Sequence, residues 1–311
     1  MATITLITIE EDHSGQRIDN FLVVTCKGVP KTRLYRAIRK GEVRVNQKRV
    51  RPDYRLQLGD QVRIPPIRRA EEKVHTLPSQ SVIQKIEDSI LVENTDYLIV
   101  NKPSGIPVHG GTGIKTGLIE AIRLLRPKAK FLELAHRLDR DTSGCILIAK
   151  KRSLLTKVHE LLLHKKVKKH YLTLVKGSLL KEERVQVPLI KNQLISGERV
   201  VTVSSQGKAS ETLFRPLKHF QGATLVEAIP LTGRTHQIRV HAAHIGHPVA
   251  GDEKYGDREF DKEMKRFGLR RLFLHSASLS CRLDSEGNSL IGVCAPLSSD
   301  LKACIQRLKP R

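Results

Sequence analysis

The chain has 311 residues, which is enough for one large and one small domain, each with a hydrophobic core. Its 55 Lys and Arg residues outnumber 32 Asp and Glu residues, so the formal net charge is +23. A chain this basic most often binds a polyanion, and RNA or DNA is the leading candidate. Its apolar runs are shorter than the roughly 20 residues that a membrane-spanning helix requires, so we expect no membrane partner.

The N-terminal residues and the cysteines indicate the cellular compartment of the protein. Residues 1–10 have no basic leader and alternate like a β-strand, so we predict no signal peptide. The five cysteines are scattered, odd in number and without paired spacing, which argues against a disulfide framework or a zinc site. We therefore expect a cytoplasmic protein with reduced thiols.

Residues 16–69 form a strongly basic module, with 15 Lys and Arg residues against 4 Asp and Glu residues. Ile18, Phe21 and Leu22 have the i, i+3, i+4 spacing of a buried helix face. A second helix is predicted from Lys31 to Lys40, and a basic hairpin follows it. A charged helix face is usually only solvated, so its charge alone does not establish a binding surface.

Two short helices followed by a basic hairpin resemble an S4-type RNA-binding domain. The resemblance includes Arg-Lys-Gly-Glu-Val-Arg-Val-Asn at residues 39–46 and Leu-Gly-Asp at residues 58–60. It implies that residues 1–67 bind RNA through phosphates and shape, with little base specificity. The residues that we expect to contact RNA are Lys31, Arg33, Arg36, Lys40 and Arg44.

Residues 68–80 are charged and have no periodicity, so they are predicted to be a linker to a large domain at residues 81–311. Strands are predicted at Ile90–Val92 and Tyr97–Val100. The glycine-rich stretch at residues 110–113 lacks the Gly-Lys pair of a phosphate-binding loop, and we reject that interpretation.

The segment from His136 to Gly144, His-Arg-Leu-Asp-Arg-Asp-Thr-Ser-Gly, contains Asp139 between two arginines. The apolar run Cys145–Ala149 follows it and predicts a buried strand. Asp139 would then lie on a turn into the core, where Arg137 and Arg140 could hold it ionised or contact phosphates. A surface salt bridge is the ordinary interpretation of such a triplet.

Tyr171 begins an alternating strand, Tyr171–Val175, directly after the basic run Lys165–His170. A tyrosine in a strand more often belongs to the core than to a site. Tyr171 nevertheless offers a face on which a base could stack and a hydroxyl that could help to move a proton.

Residues 231–241 read Leu-Thr-Gly-Arg-Thr-His-Gln-Ile-Arg-Val-His. Four histidines of this region could suggest a metal site: His236, His241, His244 and His247. No cysteine lies near them in the sequence, and the nearby carboxylates are Asp252 and Glu253, so we predict no metal site. Tyr255, in the turn-rich loop that follows, is interpreted as structural.

These segments resemble the RluA-type pseudouridine synthases. The motifs that carry the resemblance are Asn101–Gly105, His136–Gly144, Lys169–Gly177 and Gly233–His241. It implies an α+β fold, in which a small S4-type domain precedes a catalytic domain with a mixed, mainly antiparallel sheet. It also implies a monomeric enzyme that isomerises specific uridines to pseudouridine in 23S ribosomal RNA or its large-subunit precursor.

The resemblance gives individual residues their expected roles. Asp139 attacks the target nucleotide, Tyr171 lies against the target base, and Arg239 pairs with Asp139. Further residues expected in the pocket or on the RNA are Arg137, Arg140, Arg234, His236, Gln237 and Leu274.

The implied reaction suits a carboxylate. The bond from C1′ to N1 must break and C5 must then bond to C1′, without any redox change, so no cofactor is expected. Attack at C1′ would hold the sugar while the base rotates, as glycosidase nucleophiles do. Attack at the base ring stays open, and so does the identity of the group that removes the C5 proton.

Two other classes of function are alternatives to this one. A catalytically silent RNA-binding or ribosome-assembly protein would lack Asp139 or Tyr171, and both are present. A nucleoside or glycoside hydrolase would need a second carboxylate to work with Asp139, and Asp141 is the candidate.

Overall fold

The computed structural model describes residues 4–26, 28–67, 78–110, 117–193, 199–284 and 290–311. The chain divides into two compact units, Met1–Thr76 and Leu77–Arg311. Most of the predicted linker and most of the glycine-rich stretch after His109 lie outside the described residues.

The N-terminal unit packs two helices against a small antiparallel sheet. Its elements are β1 (Thr5–Thr8), a 3-10 turn (Glu11–His13), α1 (Ile18–Thr25), α2 (Lys31–Arg39), β2 (Arg44–Val45) and β3 (Gln61–Ile64). The strands lie in the order β1-β3-β2. Ile18, Phe21 and Leu22 of α1 are buried against Leu34 and Ile38 of α2 in one cluster. The predicted helix faces are therefore the faces that form this core.

The turn after β2 is a tight hairpin turn. Asn46 and Gln47 both have left-handed backbone angles, with φ of +47° and +66°, as the commonest two-residue hairpin turn requires. The Asn46 amide group donates to Asp60 at 2.8 Å and accepts from the Gln61 N–H at 2.8 Å. These bonds connect the turn to the start of β3 and hold the basic hairpin rigid.

The C-terminal unit is built on one large sheet. Its helices are α3 (Gln80–Glu87), α4 (Leu118–Leu125), α5 (Arg152–Leu163), α6 (Gln237–His244), α7 (Arg258–Arg266) and α8 (Ser299–Arg307). Its first strands are β4 (Ile90–Glu93), β5 (Tyr97–Lys102), β6 (Glu133–Leu134), β7 (Ser143–Ala149), β8 (Lys168–Lys176) and β9 (Glu183–Val185). Its later strands are β10 (Leu189–Gln193), β11 (Arg199–Val203), β12 (Thr212–Phe220), β13 (Ala223–Pro230), β14 (Leu274–Arg282) and β15 (Leu290–Cys294).

The large sheet has the order β4-β5-β7-β14-β8-β13-β12-β9, with β6 on β7 and β15 on β14. Strands β7 and β14 run parallel, and the other pairs in the described sheet are antiparallel. The prediction of a mixed, mainly antiparallel sheet is therefore confirmed. Strands β10 and β11 form a separate two-stranded hairpin.

Strand β7 runs through the middle of the core, which explains its unbroken apolar run. Ile146 and Ile148 face one hydrophobic cluster, while Cys145 and Leu147 face another. Gly144, at its start, has φ +109°, and a Cβ there would lie 2.2 Å from a backbone oxygen of β14. Only glycine fits this close approach, so the segment before β7 enters the sheet along one fixed path.

Helices α3, α6 and α7 were not predicted from the sequence. Helix α3 begins at Gln80, the last residue of the predicted linker. Helix α7 is polar around most of its surface and buries only Phe260 and Met264. Its N-terminus is capped by Asp257, whose side chain accepts a hydrogen bond from the Phe260 N–H. Two apolar residues at i, i+4 are a weak signal. None of the described helices is long and apolar enough to cross a membrane.

Candidate active site

A pocket of about 680 Å³ in the C-terminal unit is lined by residues from several separate segments. Asp139, Tyr171, His236, Arg239 and Leu274 all line it. They come from the loop before β7, from strand β8, from the start of helix α6 and from the start of β14. Tertiary structure thus brings the motifs of the sequence together around one carboxylate.

The buried Lys102 side chain forms a hydrogen bond with the loop that carries Asp139. The Lys102 ammonium donates to the carbonyl oxygens of Arg140 at 2.9 Å, Ile106 at 2.8 Å and Pro103 at 3.0 Å. Burial lowers the pKa of Lys102 to about 7, although the nearby aspartates raise it. One of these bonds holds the backbone of Arg140, next to Asp139, and the other two join it to the loop after β5.

The half-buried Asp139 carboxylate has one basic group near each oxygen. Arg239 Nη1 lies 3.6 Å from Oδ2, and His236 Nε2 lies 3.9 Å from Oδ1. Both distances exceed ordinary hydrogen-bond lengths, and the Arg239 charge is close enough to attract the carboxylate. Asp139 is therefore flanked on both sides without being tightly bound.

Arg239 lies beside Asp139, as the sequence predicts, but its shortest contacts are with Asp252. Arg239 Nε donates to Asp252 Oδ2 at 2.7 Å and Nη2 donates to Oδ1 at 2.6 Å. Both side chains are buried. Burial alone would lower the pKa of Arg239, but the Asp252 hydrogen bonds and charge raise it overall. The two-point contact leaves only the third guanidinium nitrogen for Asp139.

His236 begins helix α6 and contacts a tyrosine that sequence reasoning did not place in the site. His236 has a left-handed backbone, with φ +52°. Its Nδ1 lies 2.8 Å from the Tyr255 hydroxyl, and the Arg239 guanidinium stacks 5.0 Å from the Tyr255 ring. Burial lowers the pKa of His236, which keeps the ring neutral. Asp252 and Tyr255 are thus the site residues that the sequence did not indicate, because their contacts with Arg239 and His236 form only in the folded chain.

Tyr171 is buried at the wall of the pocket, and Leu274 lies on the neighbouring strand. Burial raises the pKa of the Tyr171 phenol, so it keeps its proton at neutral pH. Lys169 is two residues earlier on β8, and it also lines the pocket. Because strand side chains alternate with a period of two, Lys169 and Tyr171 share one face. Burial lowers the pKa of Lys169.

The other predicted pocket residues differ in position. Arg137 is exposed and lines the pocket, whereas Arg140 pairs with Asp141 at 3.1 Å instead of flanking Asp139. The Arg234 guanidinium donates to the Ala209 carbonyl at 3.2 Å. Arg137 and Arg234 are therefore positioned at the mouth of the pocket.

Gln237 lines the pocket, but its amide group forms hydrogen bonds with other groups of the protein. Its Oε1 accepts from the Thr232 hydroxyl at 2.6 Å and the Arg234 N–H at 3.0 Å, and its Nε2 donates to Thr212 at 2.9 Å. Another donated bond goes to the Glu211 carbonyl. Gln237 thus holds the loop before α6 in place.

The basic residues of the N-terminal unit fall into two groups. Lys31, Arg36 and Lys40 are exposed along α2 and its end. Arg33 forms an ion pair with Glu42 at 2.8 Å, and Arg44 donates to the Gly41 carbonyl at 3.2 Å. Arg44 is also exposed, but its guanidinium is held by this bond, so Lys31, Arg36 and Lys40 offer the stronger candidates for phosphate contact.

The histidines of the 236–247 segment do not converge. His241 is buried with its Nε2 2.9 Å from the Ser210 hydroxyl, and burial lowers its pKa to about 4. His244 is exposed, and His247 Nδ1 bonds to the Lys176 carbonyl. Within the described part of the chain, no group of three His, Cys, Asp or Glu residues is arranged to hold a metal ion.

Comparison with known proteins identifies the relatives of this chain. A family model of RNA pseudouridylate synthases matches residues 96–244, and an S4 domain model matches residues 16–62. Ribosomal large subunit pseudouridine synthase C of Haemophilus influenzae is 53% identical over 310 residues, covering 99% of this chain and 96% of the relative. The protein of the same name from Escherichia coli strain K12 is 51% identical over 311 residues, covering 99% and 97%.

A solved structure shares the fold of much of this chain. Human RNA pseudouridylate synthase domain containing 1 has a TM-score of 0.60 and 27% identity, covering 76% of this chain and 92% of that chain. The match to this structure covers a smaller share of the chain than the matches to the bacterial relatives do. The chain belongs to the RNA pseudouridylate synthase family and carries an S4 domain before its catalytic domain.

Proposed function

We propose that this enzyme converts specific uridines of 23S ribosomal RNA, or of its large-subunit precursor, to pseudouridine with Asp139 as the nucleophile. The observation that carries the proposal is the position of Asp139, between Arg239 and His236 in a pocket that also contains Tyr171. The names of its bacterial relatives support the ribosomal substrate. A ribosomal substrate favours a cytoplasmic location, and we propose that the enzyme acts there as a monomer.

The pocket supports the chemistry of an isomerase better than that of a hydrolase. Among the described residues that line the pocket, Asp139 is the one carboxylate. Asp141 faces Arg140, and Asp252 is fully engaged with Arg239. A glycoside hydrolase normally needs a second carboxyl group across the scissile bond, about 5 to 9.5 Å away, to act as acid or base.

Asp139 can serve as nucleophile at C1′ or at the base ring, because both reactions need one aimed carboxylate. The Tyr171 phenol, which keeps its proton, supports a role as stacking face and proton donor for the base. The target uridine must leave its stack to enter the pocket. Arg137, exposed at the pocket mouth, is proposed to occupy the space that the uridine leaves.

A tritium-release assay on ribosomal RNA labelled at uridine C5 tests the proposed reaction. Isomerisation releases the C5 hydrogen to water while the RNA chain and its bases remain joined. We expect tritium release together with pseudouridine at defined positions, found by chemical mapping of the same RNA. Release of free uracil, or RNA binding with no tritium release, would contradict the proposal.

The basic face of α2 is expected to make the binding of RNA depend on salt. Replacing Lys31, Arg36 and Lys40 by Gln removes three exposed charges from the N-terminal unit. If each contacts a phosphate, the slope of log affinity against log salt becomes shallower by about 0.7–0.9 per residue. The measurement is RNA binding by the full chain over a range of salt concentrations.

The matched control is a triple Gln variant of the exposed residues Arg258, Lys262 and Lys265 on α7, which has the same change in net charge. We expect that control to leave the slope close to that of the native protein. Equal slopes for both triple variants would show that α2 has no special part in RNA binding.

A further inference from the structure

The turn from Asp252 to Tyr255 contacts both groups that face the Asp139 carboxylate. Asp252 binds the Arg239 guanidinium at two points, and the Tyr255 hydroxyl lies 2.8 Å from His236 Nδ1. Asp252 Oδ1 also accepts from the backbone N–H of Tyr255 at 3.1 Å. One short turn therefore supports both neighbours of the catalytic carboxylate.

This turn is tightly held at both of its ends. Gly251 has φ +71°, and a Cβ there would lie 2.2 Å from the Arg271 carbonyl oxygen. A Cβ on Gly256 would lie 2.2 Å from the Asp252 carbonyl oxygen. Neither end has room for a side chain, so the backbone of this turn packs closely against its neighbours.

The hydrogen bonds of the Tyr255 hydroxyl determine where its proton points. The backbone N–H of Val201, in β11, donates to the hydroxyl oxygen at 2.9 Å. Burial raises the pKa of Tyr255, so the phenol keeps its one proton. The described contacts offer one acceptor for that proton, His236 Nδ1. A neutral imidazole that accepts at Nδ1 carries its own proton on Nε2.

The same tautomer suits the other side of the His236 ring. Nε2 faces Asp139 Oδ1 at 3.9 Å, and a carboxylate can only accept hydrogen bonds. An Nε2–H group is therefore attracted to Asp139, whereas the lone pair of the opposite tautomer would be repelled by it. Both ends of the ring thus favour a proton on Nε2.

We propose that Tyr255 is a positioning residue that fixes His236 as the Nε2–H tautomer, so that a donor always faces Asp139. The proposal rests on the proposed role of Asp139 as nucleophile. At 3.6 and 3.9 Å, Arg239 and His236 orient the carboxylate without short hydrogen bonds. Short hydrogen bonds from Arg239 and His236 would stabilise the Asp139 carboxylate before reaction and reduce its reactivity. At the longer distances, both groups can stay near the carboxylate as it moves toward the substrate.

The tautomer can be measured without any assay of activity. Nitrogen NMR of the full chain with labelled histidine distinguishes Nε2–H from Nδ1–H, and loss of a signal in His236→Gln identifies the His236 ring. We expect Nε2–H in the native protein and a mixture of tautomers in Tyr255→Phe. A native Nδ1–H tautomer, or an unchanged tautomer in Tyr255→Phe, would overturn the proposal.

A second experiment separates positioning from general support of the fold. We expect Tyr255→Phe to lower kcat by roughly tenfold to a hundredfold with little change in KM, because RNA contacts elsewhere are intact. Glutamine at position 236 places an amide N–H near the site of the imidazole Nε2 and needs no tautomer. In a His236→Gln background, Tyr255→Phe should therefore cost much less activity than in the native background.

An equal loss of kcat in both backgrounds would assign Tyr255 a purely structural role and overturn the proposal. Tyr97→Phe, on β5 and outside the pocket, is the matched control for loss of a phenolic hydroxyl and should retain native kcat. If the native enzyme itself forms no pseudouridine, the proposed function fails. The NMR result then still decides the tautomer independently.

Discussion

Replacing Asp139 by Asn is expected to reduce pseudouridine formation to background, a loss on the order of 10⁴-fold or more if the carboxylate is the nucleophile. Asparagine keeps the shape of the side chain but loses the charge and the nucleophilic oxygen. The affinity for RNA should stay within a few-fold, because Lys and Arg contacts elsewhere supply most of it. The measurements are single-turnover product formation and RNA binding on the same preparation.

The comparison variant is Asp141→Asn, two residues along the same loop. Asp141 pairs with Arg140 and does not line the pocket, so we expect near-native turnover. The folded fraction of both variants needs to be checked, and the stability cost of Asp139→Asn should be small because Arg239 keeps Asp252. A dead Asp141→Asn beside an active Asp139→Asn would show that the other aspartate is the nucleophile.

Replacing Asp252 by Ala is expected to destabilise the C-terminal unit by on the order of 3–5 kcal/mol, because it leaves the Arg239 guanidinium buried and unpaired. The Asp252 side chain is 0% exposed and that of Arg239 is 7% exposed. The backbone N–H groups of Lys254 and Tyr255 lose their acceptor in the same step. The free energy of unfolding, from denaturant titration with intact cooperativity, is the quantity to measure.

Asp96→Ala removes a carboxylate of the same size from an exposed ion pair with Lys151. That control should lose at most about 1 kcal/mol, as surface pairs do. Activity gives a second readout of Asp252→Ala under conditions in which the variant stays folded, and we expect it to fall because Arg239 is no longer oriented. A free energy of unfolding equal to that of the Asp96 variant would contradict the assigned role of Asp252.

The sequence by itself was sufficient for features that depend on local spacing. The buried faces of α1 and α2 follow a helical period, and β7 follows from an unbroken apolar run. Asp139 and Tyr171 were named from their motifs, and the structure places both in one pocket. Such features need only neighbouring residues, so a linear pattern contains them.

Contacts between separate elements decided the features of the site that local spacing does not contain. Sequence reasoning paired Arg239 with Asp139, but the strongest partner of Arg239 is Asp252, on a turn whose position depends on how α6 packs. The same is true of Tyr255, which meets both His236 and Val201 only in the folded chain. A spacing pattern has no information about which of two aspartates approaches a given arginine.

The active site therefore depends both on local sequence motifs and on tertiary structure. Motif residues at and around Asp139 line the pocket, and their identity is readable from the chain. Lys102, Asp252 and Tyr255 set the direction and protonation of those residues through hydrogen bonds of 2.6–3.0 Å between separate elements. Because a hydrogen bond requires its two atoms within a few tenths of an ångström of ideal geometry, only the packed tertiary structure determines these contacts.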